Sequence, residues 1–379
     1  MADLQTLVDF GPRVAGSAAE QATIAMIKER MESYGYDVVE QEFELPAVME
    51  GTVTIAGVTY DNTRIAGGPG GAITGTLVEA GLGKQGDFAN AEGNIALIQR
   101  GDIPFQEKVD NAVAAGAAGV IIYNNAPGGV NFSVQSDVPV VGVSNEDGLG
   151  MLANAGQEAQ LDIEVLATQS SSNVIATKLP ADGSTDADII HVSAHIDSVP
   201  GSPGANDNGS GTAAAIEIAR VLQDADLDKE IRFSFVGAEE IGLLGSKFFV
   251  DSLTDEEVAR SIANFNMDMV ATAWEPATAM YTNTLDGQHN LVTTTANTVA
   301  EMLGTPSQLV LLERGASDHV NFHDAGIDAA NFIRREPGTA NLEPYYHTPD
   351  DTMEHISQER LGEAIDLIGG SVYYLARQQ

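Results

Sequence analysis

Three apolar runs in the second half of this chain end on acids or an imidazole. "ADIIHVSAHID" closes on His195 and Asp197, "EIRFSFVGAEE" on Glu239 and Glu240, and "IANFNMDMV" encloses Asp268. Short apolar runs bounded by turn residues read as buried strands. The segments between them, "GTAAAIEIARVLQDA" and "GLLGSKFFVDSL", read as helices. Strands alternating with helices give a largely parallel sheet, whose carboxyl ends share one edge. The fold must therefore gather these polar residues at one place. Glu239 and Glu240, flanked by apolar segments, would repel each other there and resist desolvation.

The rest of the chain has a different texture. Residues 17–34 read as a helix: Ser17 and Glu20 form a capping-box pattern, and Ile24, Ile27, Met31 and Tyr34 share a face. "DVVEQEFEL" follows as a strand. From 47 to 170, short strands such as "GAITGTLVEA" and "VPVVGVS" are separated by Gly, Asn and Asp turns. One helix interrupts them, "PFQEKVDNAVAAGA". Further helices are expected around 287–303, 316–325 and 357–377. The division predicted is 1–46 as the first part of one domain, 47–170 as an insertion, and 171–379 as the remainder of the first.

Composition narrows the chemistry. With no cysteine, thiolate metal sites and disulfides are excluded, so any metal must sit on His, Asp and Glu. Fifty-five acids against 18 bases give a net charge of −37, and only six of the bases are Lys. Such a surface disfavours nucleic acid and anionic membranes as partners. No apolar run is long enough to span a membrane. The start lacks a basic region followed by an apolar one, which makes a cytoplasmic location the expectation. A secreted mature form cut from a longer precursor stays open.

Taken singly, each polar residue has an ordinary explanation as a cap, a turn or a solvated pair. Together, "HIDSVPGSPGANDNGSG", "GAEEIGLLGS", "NMDM", "SDHVNFHDAGI" and "YYHTPDDT" resemble the di-zinc exopeptidases that include leucyl aminopeptidases and glutamate carboxypeptidases. The resemblance covers 1–45 and 171–379, including "VDFGPRVAGS". The inserted "GNIALIQRGDIPFQEKVDNAVAAGAAGVIIYNN" is similar to a protease-associated (PA) domain. The fold implied is an α/β three-layer sandwich around a mixed, mainly parallel sheet, with an inserted mostly-β PA domain.

The resemblance also implies roles. His195 and Asp268 would bind one zinc, Glu240 and His347 a second, and Asp207 would bridge them. Asp197 would orient the His195 imidazole, Glu239 would be general base to a metal-activated bridging water, and Tyr346 would stabilise the oxyanion. A non-proline cis peptide is implied at Asp207–Asn208. Peptide hydrolysis needs a nucleophile at neutral pH and stabilisation of an oxyanion, and two metals bridged by a carboxylate supply both. With N and O ligands Zn²⁺ is the first choice, Co²⁺ or Mn²⁺ being substitutes.

The leading expectation is an aminopeptidase acting on peptides with a free N-terminus, Glu239 and Asp268 being candidates to hold the amine. A carboxypeptidase or dipeptidase of the same fold is the alternative, and it would want basic residues nearby. Arg314, Arg334 and Arg335 are candidates, with surface salt bridges as their ordinary role. Ser317, Asp318 and His319 read as structural support and helix capping. A receptor-like binding module and a single-zinc glutaminyl cyclase are the other readings, both disfavoured by the full ligand set. Oligomeric state is not legible.

The acid excess with Lys depletion matches adaptation to molar salt, since self-repulsion needs counterions. The fold is expected to loosen below about 1 M salt. A circular dichroism titration that shows no unfolding on salt dilution would contradict this.

Overall fold

The structure, a computed structural model, describes residues 1–60, 63–167, 169–305 and 309–378. The chain forms two compact units: Met1–Leu45 with Ser170–Gln379, and Pro46–Gln169. The first unit opens with α1 (Ala2–Asp9), α2 (Ala18–Ser33) and β1 (Asp37–Glu44). The second contains β2 (Val48–Ile55), β3 (Val58–Tyr60), β4 (Arg64–Gly67), β5 (Gly71–Glu79) and β6 (Ile95–Gln99). It continues with α3 (Phe105–Ala114), β7 (Gly119–Tyr123), β8 (Val140–Val143), α4 (Asn145–Leu152) and β9 (Glu158–Ala167). The chain then returns to the first unit through β10 (Ser170–Lys178), β11 (Ile189–His195), α5 (Gly211–Leu222) and β12 (Glu230–Val236). Next come α6 (Leu244–Asp251), α7 (Asp255–Arg260), β13 (Ser261–Met267), β14 (Ala279–Thr284) and α8 (Leu291–Leu303). β15 (Leu309–Glu313), α9 (His319–Asp324), β16 (Ala329–Arg335) and α10 (Gln358–Ala376) complete it.

The first unit's sheet runs β1-β10-β12-β11-β13-β16-β14-β15. Neighbours β12, β11, β13 and β16 are parallel, while β1, β10 and β14 introduce antiparallel pairs. Its central strands are buried on both faces, and successive side chains alternate between two cores with the period of two that a sheet imposes. On β10, Val174 and Ala176 join the core formed with α2, α5, α8 and α10; Ile175 joins Phe249 of α6 and Phe322 of α9 on the other face. On β11, Ile190 and Val192 point to the first core. His191 between them packs against Phe249 and Phe322, with ring centroids 5.7 and 5.2 Å away. Burial pushes its pKa down to about 3, so this histidine is a neutral core residue. The result is the expected sandwich.

The second unit has its own eight-stranded sheet, β3-β2-β9-β5-β6-β7-β8-β4. Residues of β6 alternate between two cores: Ala96 and Ile98 with α3, Ile95 and Leu97 with α4. Two helices, not the one expected, thus belong to this unit. The second, α4, is hidden in "SNEDGLGML" by glycines that lower helix propensity. Ser144 caps it by accepting the Asp147 N–H at 3.0 Å. Gly148 must lack a side chain, because a Cβ there would lie 2.2 Å from the Cβ of Tyr123.

Two local features differ from the sequence reading. α1 was not anticipated. The capping box of α2 is also only half formed. Ser17 accepts the Glu20 N–H at 3.2 Å, but the Glu20 carboxylate reaches back to the Gly16 N–H at 2.6 Å and to the Ser171 hydroxyl at 2.7 Å. Glu20 therefore ties the helix entry to β10. Among the described residues no helix is long and apolar enough to cross a membrane.

Between α1 and α2 the chain buries Arg13, which is 1% exposed. Its Nε donates to the Ile196 carbonyl at 2.8 Å, Nη1 to Pro203 at 2.6 Å and Nη2 to Gly204 at 2.9 Å. The loop leaving β11 is thus wrapped around one guanidinium. Substituting Arg13 would strand several buried carbonyls, each costing about 1–3 kcal/mol. Arg13→Met should lower unfolding free energy by about 3 kcal/mol or more; a denaturant midpoint equal to wild type would refute the anchoring role.

Candidate active site

His195 is the last residue of β11, and Asp268 follows β13 immediately. Glu239 and Glu240 follow β12 by a short turn. Because β12, β11 and β13 are adjacent and parallel, all four meet at the carboxyl edge. β11 lies where the chain crosses from one side of the sheet to the other, with β12 and β13 as its neighbours. The turns are tight. Ala238, Met269 and His347 all adopt left-handed backbone, with φ of 56°, 61° and 59°, uncommon for side-chain-bearing residues. Gly211 opens α5 where a Cβ would lie 2.3 Å from the Met267 carbonyl. The Asp207–Asn208 peptide is cis.

The structure brings all five sequence-predicted ligands together. His195 Nε2 lies 3.3 Å from Asp207 Oδ1 and 3.6 Å from Asp268 Oδ1. His347 Nε2 lies 3.1 Å from Asp207 Oδ2 and 3.0 Å from Glu240 Oε2. The two oxygens of Asp207 therefore face two different imidazoles. Ligands about 2.0–2.1 Å from a tetrahedral zinc are separated by roughly 3.3 Å, so these spacings suit a shared cation. His195, Glu239 and Asp268, and likewise His195, Asp207 and Glu240, each offer ligand atoms within 4.8 Å of one another. Buried Glu240 Oε1 and Asp268 Oδ1 have no hydrogen-bond partner among the described residues. The donor set fits zinc: imidazole nitrogen and carboxylate oxygen, with unused lone pairs.

The electrostatics also call for cations. Burial alone would lower the His195 pKa, but Glu239, Asp197, Asp207 and Asp268 hold it well above the ordinary value. Hydrogen bonds donated to Asp207 and Glu240 raise His347 to about 10. Asp207, despite burial, is held down to about 2 by His195 and His347. Burial raises Glu239 and Glu240. So many carboxylates in one dry place bind positive charge strongly.

Asp197 acts more broadly than expected. Its carboxylate accepts the backbone N–H groups of Glu239 at 3.1 Å and Glu240 at 3.2 Å, fixing the turn after β12. His195 Nδ1 contacts Asp197 through the main-chain carbonyl at 3.2 Å and through the carboxylate at 3.5 Å. Donation from Nδ1 leaves Nε2 as the free lone pair.

Several positioning residues escaped the sequence reading. Asp351, in "HTPDDT", accepts the N–H groups of Asn206 at 2.7 Å and Asp207 at 3.0 Å. Asn206 donates to Glu343 at 2.7 Å and accepts the Ala271 N–H at 3.0 Å. Asn208 donates to the Met267 carbonyl at 2.7 Å and accepts the Gly211 N–H at 2.9 Å. The loop bearing Asp207 is thereby sewn both to the end of β13 and to the loop bearing His347. The signal was the density of Asn and Asp in "GANDNGSG" and "HTPDDT", only two residues of which were assigned.

Tyr346 lines the same cavity as His195, Asp207, Glu239, Glu240 and Asp268, its ring stacked on His347 at 3.8 Å. Burial and the surrounding carboxylates raise its pKa, keeping the phenol protonated. Arg334 is not a surface ion pair: it is buried, bonding Glu363 at 2.5 Å and the Val270 carbonyl at 3.1 Å. Arg314 and Arg335 line the cavity. Ser317, Asp318 and His319 are fully buried. Ser317 accepts from Asn266 at 2.9 Å, and His319 Nε2 contacts the Arg314 carbonyl at 3.0 Å. Asp318 begins α9 but makes no capping hydrogen bond, contrary to expectation.

Comparison with known proteins identifies the family. Residues 173–372 match the model of peptidase family M28, and residues 73–151 match the PA domain. Aminopeptidase YwaD of Bacillus subtilis is 48% identical over 98% of this chain and 82% of its own length. The structure of BSAP, a zinc aminopeptidase from Bacillus subtilis, superposes with a TM-score of 0.74 at 45% identity, covering 100% of this chain and 95% of that one. An aminopeptidase from Aneurinibacillus sp. strain AM-1 gives a TM-score of 0.74 at 37% identity, covering 100% and 94%. The chain belongs to peptidase family M28 and carries a PA domain within its peptidase fold.

Proposed function

We infer that this M28 peptidase is a zinc-dependent aminopeptidase that removes the N-terminal residue of peptides. The observation that carries the reading is Asp207, whose two oxygens lie 3.3 and 3.1 Å from two different imidazoles. His195 and Asp268 would hold one ion, Glu240 and His347 a second, and Asp207 would span both. When bound, the ions would polarise the scissile carbonyl and acidify water. The aminopeptidases among its relatives support the substrate class.

The chain's own groups account for the remaining steps. Glu239 is held by its backbone N–H on Asp197, with its carboxylate beside His195 and Asp268. It would take a proton from the attacking water and return it to the departing amine. Tyr346, which lines the same cavity, would donate its O–H to the oxygen that becomes negative. Asp268 and Glu239 offer acceptors for a free ammonium, so recognition of the chain end and chemistry share one cavity.

Leucine p-nitroanilide should be hydrolysed by the zinc-loaded protein in high salt, while its N-acetyl form should not. Glu239→Gln should keep zinc and lower kcat by about 10²–10⁴-fold. Turnover of the blocked substrate would refute the aminopeptidase reading, and wild-type kcat in Glu239→Gln would remove that residue as the base.

A further inference from the structure

The cavity extends past Asp268 to a wall that the reaction above does not use. Met269, Ile333 and Leu342 make part of it apolar, and Asn283, Arg314 and Arg335 line it as well. Arg335, the last residue of β16, is 5% exposed. Its Nη1 donates to the Ala340 carbonyl at 2.9 Å, and its Nε is buried without a hydrogen-bond partner among the described residues. A guanidinium stays charged and presents its N–H groups as a planar fork, so an unmatched buried edge calls for an acceptor. Neighbouring Arg334 is matched by Glu363; Arg335 feels a second cation, Arg314, and next the carboxylate of Asp268, neither of which hydrogen-bonds its Nε. Arg314 is exposed at the cavity rim. Asn283 faces Asn331 across β14 and β16, and its Oδ1 is likewise buried and unpartnered. Its amide can turn either its oxygen or its NH₂ to a ligand.

We propose that Arg335, Arg314 and Asn283 form a carboxylate-binding subsite, which receives the side chain of an N-terminal glutamate or aspartate. The proposal rests on the aminopeptidase reading above. The side chain's methylenes would lie against Met269, Ile333 and Leu342. Its carboxylate would take the Nε–Nη2 edge of Arg335 in a bidentate pair, with Asn283 as a further donor. The enzyme then accepts acidic N-terminal residues as well as apolar ones. A main-chain carboxylate, from a released amino acid, offers the same chemistry.

The test compares kcat/KM for the p-nitroanilides of glutamate, glutamine and leucine, in zinc-loaded wild type, Arg335→Met and Arg314→Ala. Glutamine matches glutamate in shape but lacks the charge. Wild type should favour glutamate over glutamine by about tenfold or more. Arg335→Met should abolish that ratio and Arg314→Ala reduce it. Equal glutamate and glutamine rates in wild type would overturn the side-chain assignment without any variant. A second arm compares inhibition of wild type by leucine and by leucinol, which lacks the carboxylate and has no amide bond to cleave. Tighter inhibition by leucine, lost in Arg335→Met, would assign the subsite to a main-chain carboxylate instead. No discrimination in either arm overturns the subsite altogether. Failure to cleave any of the three p-nitroanilides would count against the aminopeptidase reading, not against this inference alone.

Discussion

Burying many carboxylates in one place is the constraint from which the peptidase unit's architecture follows. Asp197, Asp207, Asp268, Asp318, Glu343 and Asp351 are all buried near the carboxyl edge of its sheet, with Glu239 and Glu240 partly so. Arg13 is the buried cation whose guanidinium feels Asp351, Asp197, Asp207 and Glu240 together. Arg13, even with Arg335 beside Asp268, cannot offset so much negative charge, and neutral hydrogen bonding offsets only part of it. Two dications held by His195, Asp207, Glu240, Asp268 and His347 would. The same demand explains the extensive backbone bonding around Asp197 and Asp351, since N–H groups stabilise carboxylates that lie outside the proposed ligand set.

The division of labour between the two adjacent glutamates follows from one turn. Ala238, in left-handed backbone after β12, reverses the chain so that both N–H groups of Glu239 and Glu240 point at Asp197. Glu240 then reaches His347, while Glu239 stays beside His195 and Asp268. Two like charges that looked unfavourable in sequence are turned by this geometry toward different partners, as the proposed roles of ligand and base require.

Much of this was legible in the sequence because it depends on period and placement. Ile190, Val192 and Ala194 alternate with polar partners and end on His195, so the strand and its functional end could be read together. The parallel order of β11, β12 and β13 then brings the other strand-end residues to the same edge. What stayed hidden depends on long-range bonding. Arg13 looks like one more surface base until the loop from β11 closes round it. Asn206, Asn208 and Asp351 look like turn formers until each is seen to bridge two loops. α4 was missed because its glycines, of which Gly148 is needed for close packing on Tyr123, weaken its local signal. Arg335 was weighed as a surface ion pair because sequence shows charge but not depth.

The central claim is that Asp207 spans two zinc ions. Diffraction from zinc-loaded crystals at the zinc absorption edge tests it most directly. The account predicts two anomalous peaks about 3.5–4 Å apart, one against His195 and Asp268 and the other against Glu240 and His347, with an Asp207 oxygen on each. A single peak, or peaks that do not touch Asp207, would contradict it.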